Sequence, residues 1–469
     1  MKTIIIGAGP AGLSCAYQLT KEGHEVEVLE AGKFIGGMAR SFDLWGQRVD
    51  LGPHRFFSKQ KEVNNFFAEL VKDDYTLVER QTRIYYNNHY FNYPLKVGNV
   101  LHNLPLLVIA EILWSYFMQR LNPVKDPKSF EEWVTNRFGK KLFGMFFKNY
   151  TEKVWGISCS KIDADWSAQR IKSFSLLAAV KSAFTGNKGN KYKTLVDQFA
   201  YPLNGTGTIY ERAARFVEAN GGTVMTETPV KRVVLNETGK KVKGVELYDG
   251  SFKKADAVVS TMPLTLLVKG FGKIPENVQK AVDSLYFRNT ILVYLEIDRD
   301  NLFPDNWLYI HSSNVKHGRI TNFRNWSESL NKGKTTTILC MEFWCFDRDA
   351  IWNDDEQNVM NLAKEEIYKI NLVPDTAKVI NMQVVKIPKC YPVYETGYQK
   401  DMEVIIDFLK GIEGLHPIGR YGSFKYNNQD HSILMGLLAA KKIALNRQTD
   451  LWRINTDTEY QEEGEMKMS

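Results

Sequence analysis

The sequence predicts an α/β fold in which a Rossmann-type domain is joined to a helical region and to a mixed or antiparallel sheet. Three observations lead to this prediction. A strand–glycine turn–helix–strand pattern opens the chain, a long apolar stretch follows near residue 110, and alternating strands with a hairpin signal occupy the middle. At 469 residues the chain is too long for one ordinary core, so we expect two or three structural units around a shared cleft.

The composition is that of a globular protein, with 44% hydrophobic and 25% charged residues. A formal charge of +7 suits an anionic ligand, but no dense basic run points to nucleic acid, and we expect none as a partner. The five cysteines form no CxxC pair, and the first residues lack a signal-peptide pattern. These features predict a cytoplasmic protein without a metal site.

The first thirty residues predict a dinucleotide-binding unit. Gly7, Gly9 and Gly12 have the GxGxxG spacing, which allows a tight turn, a close approach to a pyrophosphate and close helix–strand packing. Glu30 follows the second strand, where a carboxylate can accept hydrogen bonds from ribose hydroxyls. The predicted elements are a strand (Thr3–Ile6), a helix (about Ala11–Glu22) and a second strand (Glu25–Leu29).

A second glycine pair, Gly36 and Gly37, comes soon after this acid and is followed by Arg40 and Ser41. The arrangement resembles the extended fingerprint of the FAD-dependent family that includes amine oxidases, protoporphyrinogen oxidase, phytoene desaturases and UDP-galactopyranose mutase. The resemblance implies noncovalent FAD in a domain of the glutathione-reductase-2-like type. Its N-terminal contacts are expected from Gly7, Gly9, Pro10, Ala11, Gly12, Glu30, Ala31, Gly36, Gly37, Met38, Ala39 and Arg40.

The middle of the chain predicts a helix from Asn204, a strand from Thr223, a strand into Val233 and Val234, a hairpin at Asp249-Gly250 and a strand ending at Ser260. In the family these strands return to the FAD domain, where Val230 is expected to contact the cofactor. The predicted domain division is FAD-binding 1–80, 201–275 and 401–450, a strand pair and helical cap region 81–200, a substrate-domain sheet 276–400 and a tail 451–469.

Several segments resemble the mutase branch in particular. "LGPHRFF" from Leu51 is similar to the loop that places a histidine beside the flavin, with Gly52, Pro53 and His54 as cofactor contacts. A structural histidine is the alternative. The stretch 80–101 resembles the mutase strand pair that closes on an aromatic-proline step, here Tyr93-Pro94.

"NYTEKVWG" and "DADWSAQRI" resemble bacterial mutase motifs and imply Tyr150, Thr151, Trp155 and Arg170 on the sugar side. The alternative is a core Trp155 and a surface ion pair at Arg170. Further along, Arg319 best matches a phosphate-binding arginine, and Tyr391, with Tyr394 as its rival, matches a tyrosine over the diphosphate.

The stretch "GRYGSFKYNNQDHSILMG", residues 419–436, looks like the mutase C-terminal signature. In this interpretation Gly419 ends a strand near the flavin, Arg420 offers a planar fork to phosphate and Tyr426 donates to a second phosphate oxygen. The run Asn428, Gln429 and Asp430 is expected at the start of the final helix. In the alternative interpretation Asp430 is only the N-cap of that helix. The expected cofactor contacts here are Gly419, Arg420, Asn428, Gln429, Asp430 and Ser432.

The most apolar window, Asn103 to Met118, is too short to span a bilayer, and we expect a buried helix there. An interfacial or dimerising helix is the alternative. Membrane association is therefore not expected but stays open, as does a homo-oligomer. Pro53, this apolar stretch and the loop 184–195 depart from the bacterial mutases and leave the sugar and the reaction outcome open.

The resemblance implies a FAD-dependent nucleotide-sugar mutase that interconverts pyranose and furanose forms, with UDP as the expected nucleotide. Reduced flavin N5 attacks the anomeric carbon, and NAD(P)H or another reductant primes the flavin. The alternative is an oxidoreductase resembling protoporphyrinogen oxidase, amine oxidases or desaturases. A third hypothesis is a flavoprotein that only binds a partner. The catalytic candidates are His54, Arg170, Arg319 and Arg420, and the substrate-binding candidates are Tyr150, Thr151, Trp155, Tyr391, Tyr394 and Tyr426.

Overall fold

The structure, a computed structural model, describes residues 1–93, 99–100, 103–164, 198–447 and 449–455. The strands in these residues form one parallel sheet, one mixed sheet and three smaller antiparallel sheets. They are β1 (Lys2–Ile6), β2 (Glu25–Leu29), β3 (Ser41–Leu44), β4 (Gln47–Asp50), β5 (Tyr75–Glu79), β6 (Thr82–Tyr86), β7 (His89–Asn92), β8 (Gln198–Pro202), β9 (Thr223–Met225), β10 (Val230–Leu235), β11 (Val242–Leu247), β12 (Phe252–Lys254), β13 (Ala257–Ser260), β14 (Phe287–Ile297), β15 (Trp307–Ile310), β16 (Arg319–Asn322), β17 (Thr337–Cys345), β18 (Val379–Pro392) and β19 (Leu415–Pro417).

The helices join and cover these sheets. They are α1 (Pro10–Lys21), α2 (Lys61–Val71), α3 (Leu106–Leu121), α4 (Phe130–Leu142), α5 (Asn149–Trp155), α6 (Thr208–Ala219), α7 (Leu264–Lys269), α8 (Glu276–Ser284), α9 (Ala350–Asn353), α10 (Glu356–Lys369), α11 (Tyr398–Lys410), α12 (Gly419–Gly422) and α13 (Gln429–Leu445). A π-helical segment, Phe143–Lys148, connects α4 to α5.

The parallel sheet has the strand order β19-β13-β1-β2-β9. In strands β1 and β13 every residue except Lys2 is buried, as expected for a sheet covered on both faces. Strands from three distant parts of the sequence therefore meet in one sheet. This arrangement confirms the α/β class and the Rossmann-type domain, whereas the residue-by-residue domain division stays a prediction.

Two expectations about local elements are confirmed. The opening strand, helix and strand lie within one residue of the predicted bounds. The hairpin at Asp249-Gly250 joins β11 to β12, which pair antiparallel, with the Asp249 carboxylate accepting a 2.8 Å bond from the backbone N–H of Ser251. This local hydrogen bond, between residues two apart in sequence, is the reason an Asp suits the turn.

The mixed sheet has the order β18-β14-β17-β16-β15-β6-β7, with only β15 and β6 parallel. Strands β14 and β17 are buried along their whole length, so this sheet forms the second large core. Strands β16 and β18 carry the candidates Arg319 and Tyr391, and β17 and β14 lie between these two strands.

The expectation of a buried helix in the apolar window is wrong. The helix is α3, and although Ile112 is only 5% exposed, Trp114 is 65% and Leu106 is 83% exposed. One side of α3 packs on α4 while the opposite side, equally apolar, faces outward. Among the described residues no helix is long and apolar enough to cross a membrane.

Candidate functional site

The first βα turn has backbone geometry that requires glycine at two positions and leaves space at a third. Gly7 has φ +98°, and a Cβ on Gly12 would lie 1.9 Å from the carbonyl oxygen of Gly7. At Gly9, φ is −85° and the nearest atom to an added Cβ is the Cα of Gly37, at 3.7 Å. The open position faces the start of α1, whose first N–H groups have no side-chain cap. This geometry fits a pyrophosphate held against the helix N-terminus.

The second glycine pair packs onto this turn. The N–H of Gly36 donates to the carbonyl of Ala8 at 2.8 Å, and a Cβ on Gly37 would approach the Cα of Gly9 to 3.0 Å. Glu30 joins the same loops, because its carboxylate accepts from the backbone N–H groups of Ala8 and Gly32, each at 2.8 Å. The structure thus brings both glycine motifs and the acid into one cradle.

The remaining N-terminal candidates border this cradle. Arg40 stacks on the exposed ring of Phe34 at 5.5 Å, and burial lowers the pKa of its guanidinium. The sulfur of Met38 accepts a 2.8 Å bond from the hydroxyl of Tyr421. Val230 begins β10 and is buried, while Ala31 lies on the exposed loop after β2 and Ala39 is in the core.

The C-terminal signature returns to the same place. Gly419 has φ +79°, and a Cβ there would lie 2.9 Å from that of Ala11 at the start of α1. Gly436 allows α13 to pack closely on α1, because a Cβ there would lie 2.3 Å from the carbonyl oxygen of Ala11. The strand before Gly419 ends at Pro417, so the expectation that Gly419 itself ends it is wrong: this glycine opens the short helix α12.

The start of α13 also differs from the expected capping. Asn428, not Asp430, occupies the N-cap, and its backbone N–H donates to the ring of His431 at 3.1 Å. The Gln429 side chain accepts from the Tyr210 hydroxyl at 2.7 Å and donates to the carbonyl of Arg55 at 2.7 Å. Gln429 therefore ties the final helix to the loop after His54. The backbone of Ser432 closes the first helical turn on Asn428.

His54 lies on a loop whose preceding Gly52 has φ +86°. Its Nδ1 is 3.1 Å from the carbonyl oxygen of Gly52. Burial and the charges of Arg319 and Arg420 together lower the pKa of His54 to about 4, although the hydrogen bond to Gly52 acts in the opposite direction. The imidazole is therefore neutral at pH 7, and the three side chains are electrostatic neighbours.

Arg319 is held by a carboxylate that the sequence did not single out. Its guanidinium makes a two-point ion pair with Glu342, its register partner on the adjacent strand, with an Nη2–Oε2 distance of 2.6 Å. Glu342 is 2% exposed. Burial acts to lower the pKa of Arg319, but the Glu342 carboxylate outweighs it and keeps the arginine charged. The available signal was a lone acid in the apolar run "TILCMEFWC".

Among the described residues, Arg420 pairs with no such carboxylate. Its Nε donates to the carbonyl of Cys390 at 2.9 Å and its Nη1 to that of Asn427 at 3.0 Å. Its Nη2 is buried and has no hydrogen-bond partner among the described residues. The guanidinium carbon lies 4.6 Å from the ring centroid of Tyr391 and 4.3 Å from that of Tyr426. Arg420 is thus a rigidly held cation between two aromatic rings.

Aromatic side chains pack behind these arginines. Trp155 is 1% exposed, and its ring centroid is 6.3 Å from Tyr391, 6.0 Å from Tyr394 and 5.9 Å from Tyr426. The Tyr394 hydroxyl accepts a 2.6 Å bond from the backbone N–H of Tyr426. Trp155 thus lies in the core, as in the alternative considered for it, and packs against these three tyrosine rings.

Tyr150 forms the other side of the cluster. It stacks on His311 with centroids 4.6 Å apart and meets the edge of Trp344 at 6.0 Å. Its neighbour Thr151 is buried. His311 and Trp344 were not predicted as site residues, because nothing in their local sequence marks them. Arg170 lies outside the described residues.

Comparisons with known proteins agree with this architecture. The sequence profile of the flavin-containing amine oxidoreductase family matches residues 10–443. A Klebsiella pneumoniae protein described as a probable UDP-galactopyranose mutase is 26% identical over 170 residues, covering 34% of this chain and 42% of that protein. The 15-cis-phytoene desaturase of Arabidopsis thaliana is 23% identical over 94% of this chain and 80% of its own length. A crystal structure of reduced UDP-galactopyranose mutase has a TM-score of 0.85, at 21% identity, over 98% of this chain and 99% of that chain. The first of these relatives is matched over less than half its length.

Proposed function

The chain belongs to the flavin-containing amine oxidoreductase family, whose cofactor is FAD, and we propose that it is a nucleotide-sugar mutase that interconverts pyranose and furanose forms. UDP is the nucleotide we propose, in line with the mutase relative. We further propose a cytoplasmic location, which suits five unpaired cysteines, and NAD(P)H as reductant.

The observation that carries this proposal is the charge balance at the two arginines. Glu342 neutralises Arg319, whereas the partners of Arg420 are neutral carbonyl oxygens. A buried cation without a counter-ion is costly unless a ligand supplies the negative charge. The free Nη2 of Arg420 can donate to a phosphate oxygen, so a nucleotide diphosphate is the ligand this site favours.

The surrounding side chains suit a diphosphate leaving group. Arg420, held in place before the ligand binds, stabilises the charge that develops on the departing phosphate without reorganising. The hydroxyls of Tyr391 and Tyr426 are candidates to donate to the same group, and neutral His54 can hydrogen-bond a sugar hydroxyl. When bound and reduced, FAD supplies a nucleophile for the anomeric carbon.

A second candidate function is oxidation of an apolar substrate by the flavin. The observation favouring it is the desaturase relative, which is matched over 94% of this chain. Against it stands the charge of Arg420, because a buried cation gains nothing from an apolar substrate.

A turnover assay distinguishes the mutase from the oxidoreductase. FAD-loaded protein is reduced with dithionite under nitrogen, mixed with UDP-galactopyranose, and the products are separated by chromatography. The mutase proposal predicts a furanose isomer formed over many turnovers without stoichiometric use of reductant, and none from oxidised protein. Bleaching of oxidised flavin by a lipophilic donor, with UDP-sugars left unchanged, would establish the oxidoreductase instead.

A further inference from the structure

Helix α3 carries an apolar surface that faces away from the protein. Six large side chains on it are between 47% and 83% exposed, and we call them the apolar stripe: Leu106, Leu107, Trp114, Phe117, Met118 and Leu121. Trp114, Phe117, Met118 and Leu121 follow the i, i+3, i+4, i+7 pattern of one helix side, and Leu106 and Leu107 continue that side two turns earlier. The stripe extends over the full length of α3, about 24 Å at the rise of an α-helix.

The stripe is not explained by packing within the described part of the chain. The inner side of α3 is fixed to the protein by the buried Ile112, by an ion pair between Glu111 and Lys141, and by a 3.0 Å hydrogen bond from Gln119 to Asn136. The helix therefore holds its position while its outer side offers apolar atoms to water. A continuous exposed apolar surface of this kind marks an interaction site.

The charges around the apolar stripe favour an anionic partner over a second copy of this chain. Between Asn103 and Lys148 the sequence carries seven Lys and Arg against four Asp and Glu, a net +3 within the +7 of the chain. Arg120 and Lys125 are exposed at the C-terminal end of the helix, and Lys140 is exposed on the packed neighbour α4. A second copy would bring an equally basic segment to this surface, which its own positive charge opposes. A surface of anionic lipid complements both the charge and the apolar stripe.

We propose that α3 is a peripheral docking site for an anionic lipid bilayer, with the apolar stripe inserted at the level of the headgroups. Trp114 lies midway along the stripe, and its indole has an apolar body with a polar N–H, which suits the membrane–water boundary. The long stems of Arg120 and Lys125 can extend toward phosphate headgroups while their methylene groups cover apolar surface. The apolar stripe includes none of the residues assigned to the flavin or the substrate, and this proposal does not depend on the reaction proposed above.

Vesicle sedimentation tests this docking. FAD-loaded protein is mixed with vesicles of equal parts phosphatidylglycerol and phosphatidylcholine, or of phosphatidylcholine alone. We expect strong binding to the first and at least about tenfold weaker binding to the second, with the difference reduced at high salt because the lipid charge is screened. Trp114 fluorescence should shift to shorter wavelength on binding, a shift lost in Trp114→Phe.

The double variant Trp114→Glu, Phe117→Glu should lose vesicle binding while keeping flavin content, since both side chains point to solvent. Its matched control is Leu266→Glu, a 45% exposed leucine on helix α7, which should bind vesicles like the unaltered protein. Failure of the unaltered protein to bind anionic vesicles overturns the proposal. So does a concentration-dependent dimer that the double variant abolishes, because the stripe would then belong to a second copy.

Discussion

Arg319 and Arg420 are electrostatic neighbours of the same histidine, yet in the described part of the chain only Arg319 pairs with a carboxylate. The Arg420 guanidinium contacts two carbonyl oxygens and two tyrosine rings, and under the proposed function the substrate diphosphate is its counter-ion. We predict that Arg420→Ala weakens UDP binding by about 2–5 kcal/mol, because the ligand's charge loses its partner. Titration calorimetry measures this, with exposed Arg215→Ala on α6 as the control. Unchanged UDP affinity would place the diphosphate elsewhere.

Glu342 is expected to matter for folding more than for ligand contact. Glu342→Gln leaves Arg319 charged and buried, which should cost about 3–5 kcal/mol of unfolding free energy. Glu246→Gln, which breaks the pairs that Glu246 makes with Lys231 and Arg232 on a partly exposed edge, should cost much less, because solvent screens these pairs. Urea unfolding measures the loss of unfolding free energy in the two variants. Equal losses would show that the buried ion pair stabilises the fold no more than the exposed pairs do.

The neutral state of His54 predicts a pH dependence of stability. Its pKa is about 4 in the folded protein and 6.5 in the unfolded chain, so between these values only the unfolded chain takes up the proton. The contribution is complete above pH 6.5 and is lost as the pH falls toward 4. Buried His311, whose pKa is lowered to about 3, changes the stability with pH in the same direction. The contribution of His54 is therefore measured by comparing a His54 variant with the unaltered protein.

In His54→Gln the unfolding free energy should fall less steeply over this pH window, by about 2–3 kcal/mol in total. Denaturant unfolding at a series of pH values measures the slopes. Parallel slopes for the variant and the unaltered protein would mean that the imidazole is not buried as a neutral group.

At the scale of single elements, the first βα turn allows a sharp distinction between binding and folding. Gly9 has a φ of −85° and room for a Cβ, whereas a Cβ on Gly12 collides with the carbonyl oxygen of Gly7. We predict that Gly9→Ala folds with a stability close to the original apo-protein but loses FAD, because the added methyl occupies the space of the pyrophosphate. Gly12→Ala should destabilise the apo-protein itself.

Flavin absorbance per chain and the thermal midpoint of the apo-protein report the two effects separately. If Gly9→Ala retained full FAD, the pyrophosphate would lie away from this turn.

The elements that could be predicted from sequence are those with a local cause. The opening strand–helix–strand unit follows from apolar periodicity broken by glycines, and the hairpin follows from Asp249-Gly250. The burial of α3 could not be predicted, because apolar residues on both sides of a helix do not say whether the outer side is covered.

At the scale of the whole molecule, the site depends on pairings between residues far apart in sequence. Glu342 reaches Arg319 through the register of β16 and β17. Gly419 reaches Ala11, more than 400 residues earlier, because β13 pairs in parallel with both β1 and β19. Motif resemblance pointed to Arg319 and Arg420 individually. It could not show that Glu342 neutralises Arg319 while carbonyl oxygens hold Arg420, since these partners depend on the folded register.

The most direct test of the central claim is isotope exchange in the substrate. UDP-galactopyranose is labelled with heavy oxygen at the position that bridges the anomeric carbon and the diphosphate, and is incubated with reduced, FAD-loaded protein. If the site breaks and re-forms that bond, phosphorus NMR will show the label spread to non-bridging phosphate positions, and Arg420→Ala will slow the exchange. A label that stays in the bridge, in reduced protein that binds UDP, would contradict the account.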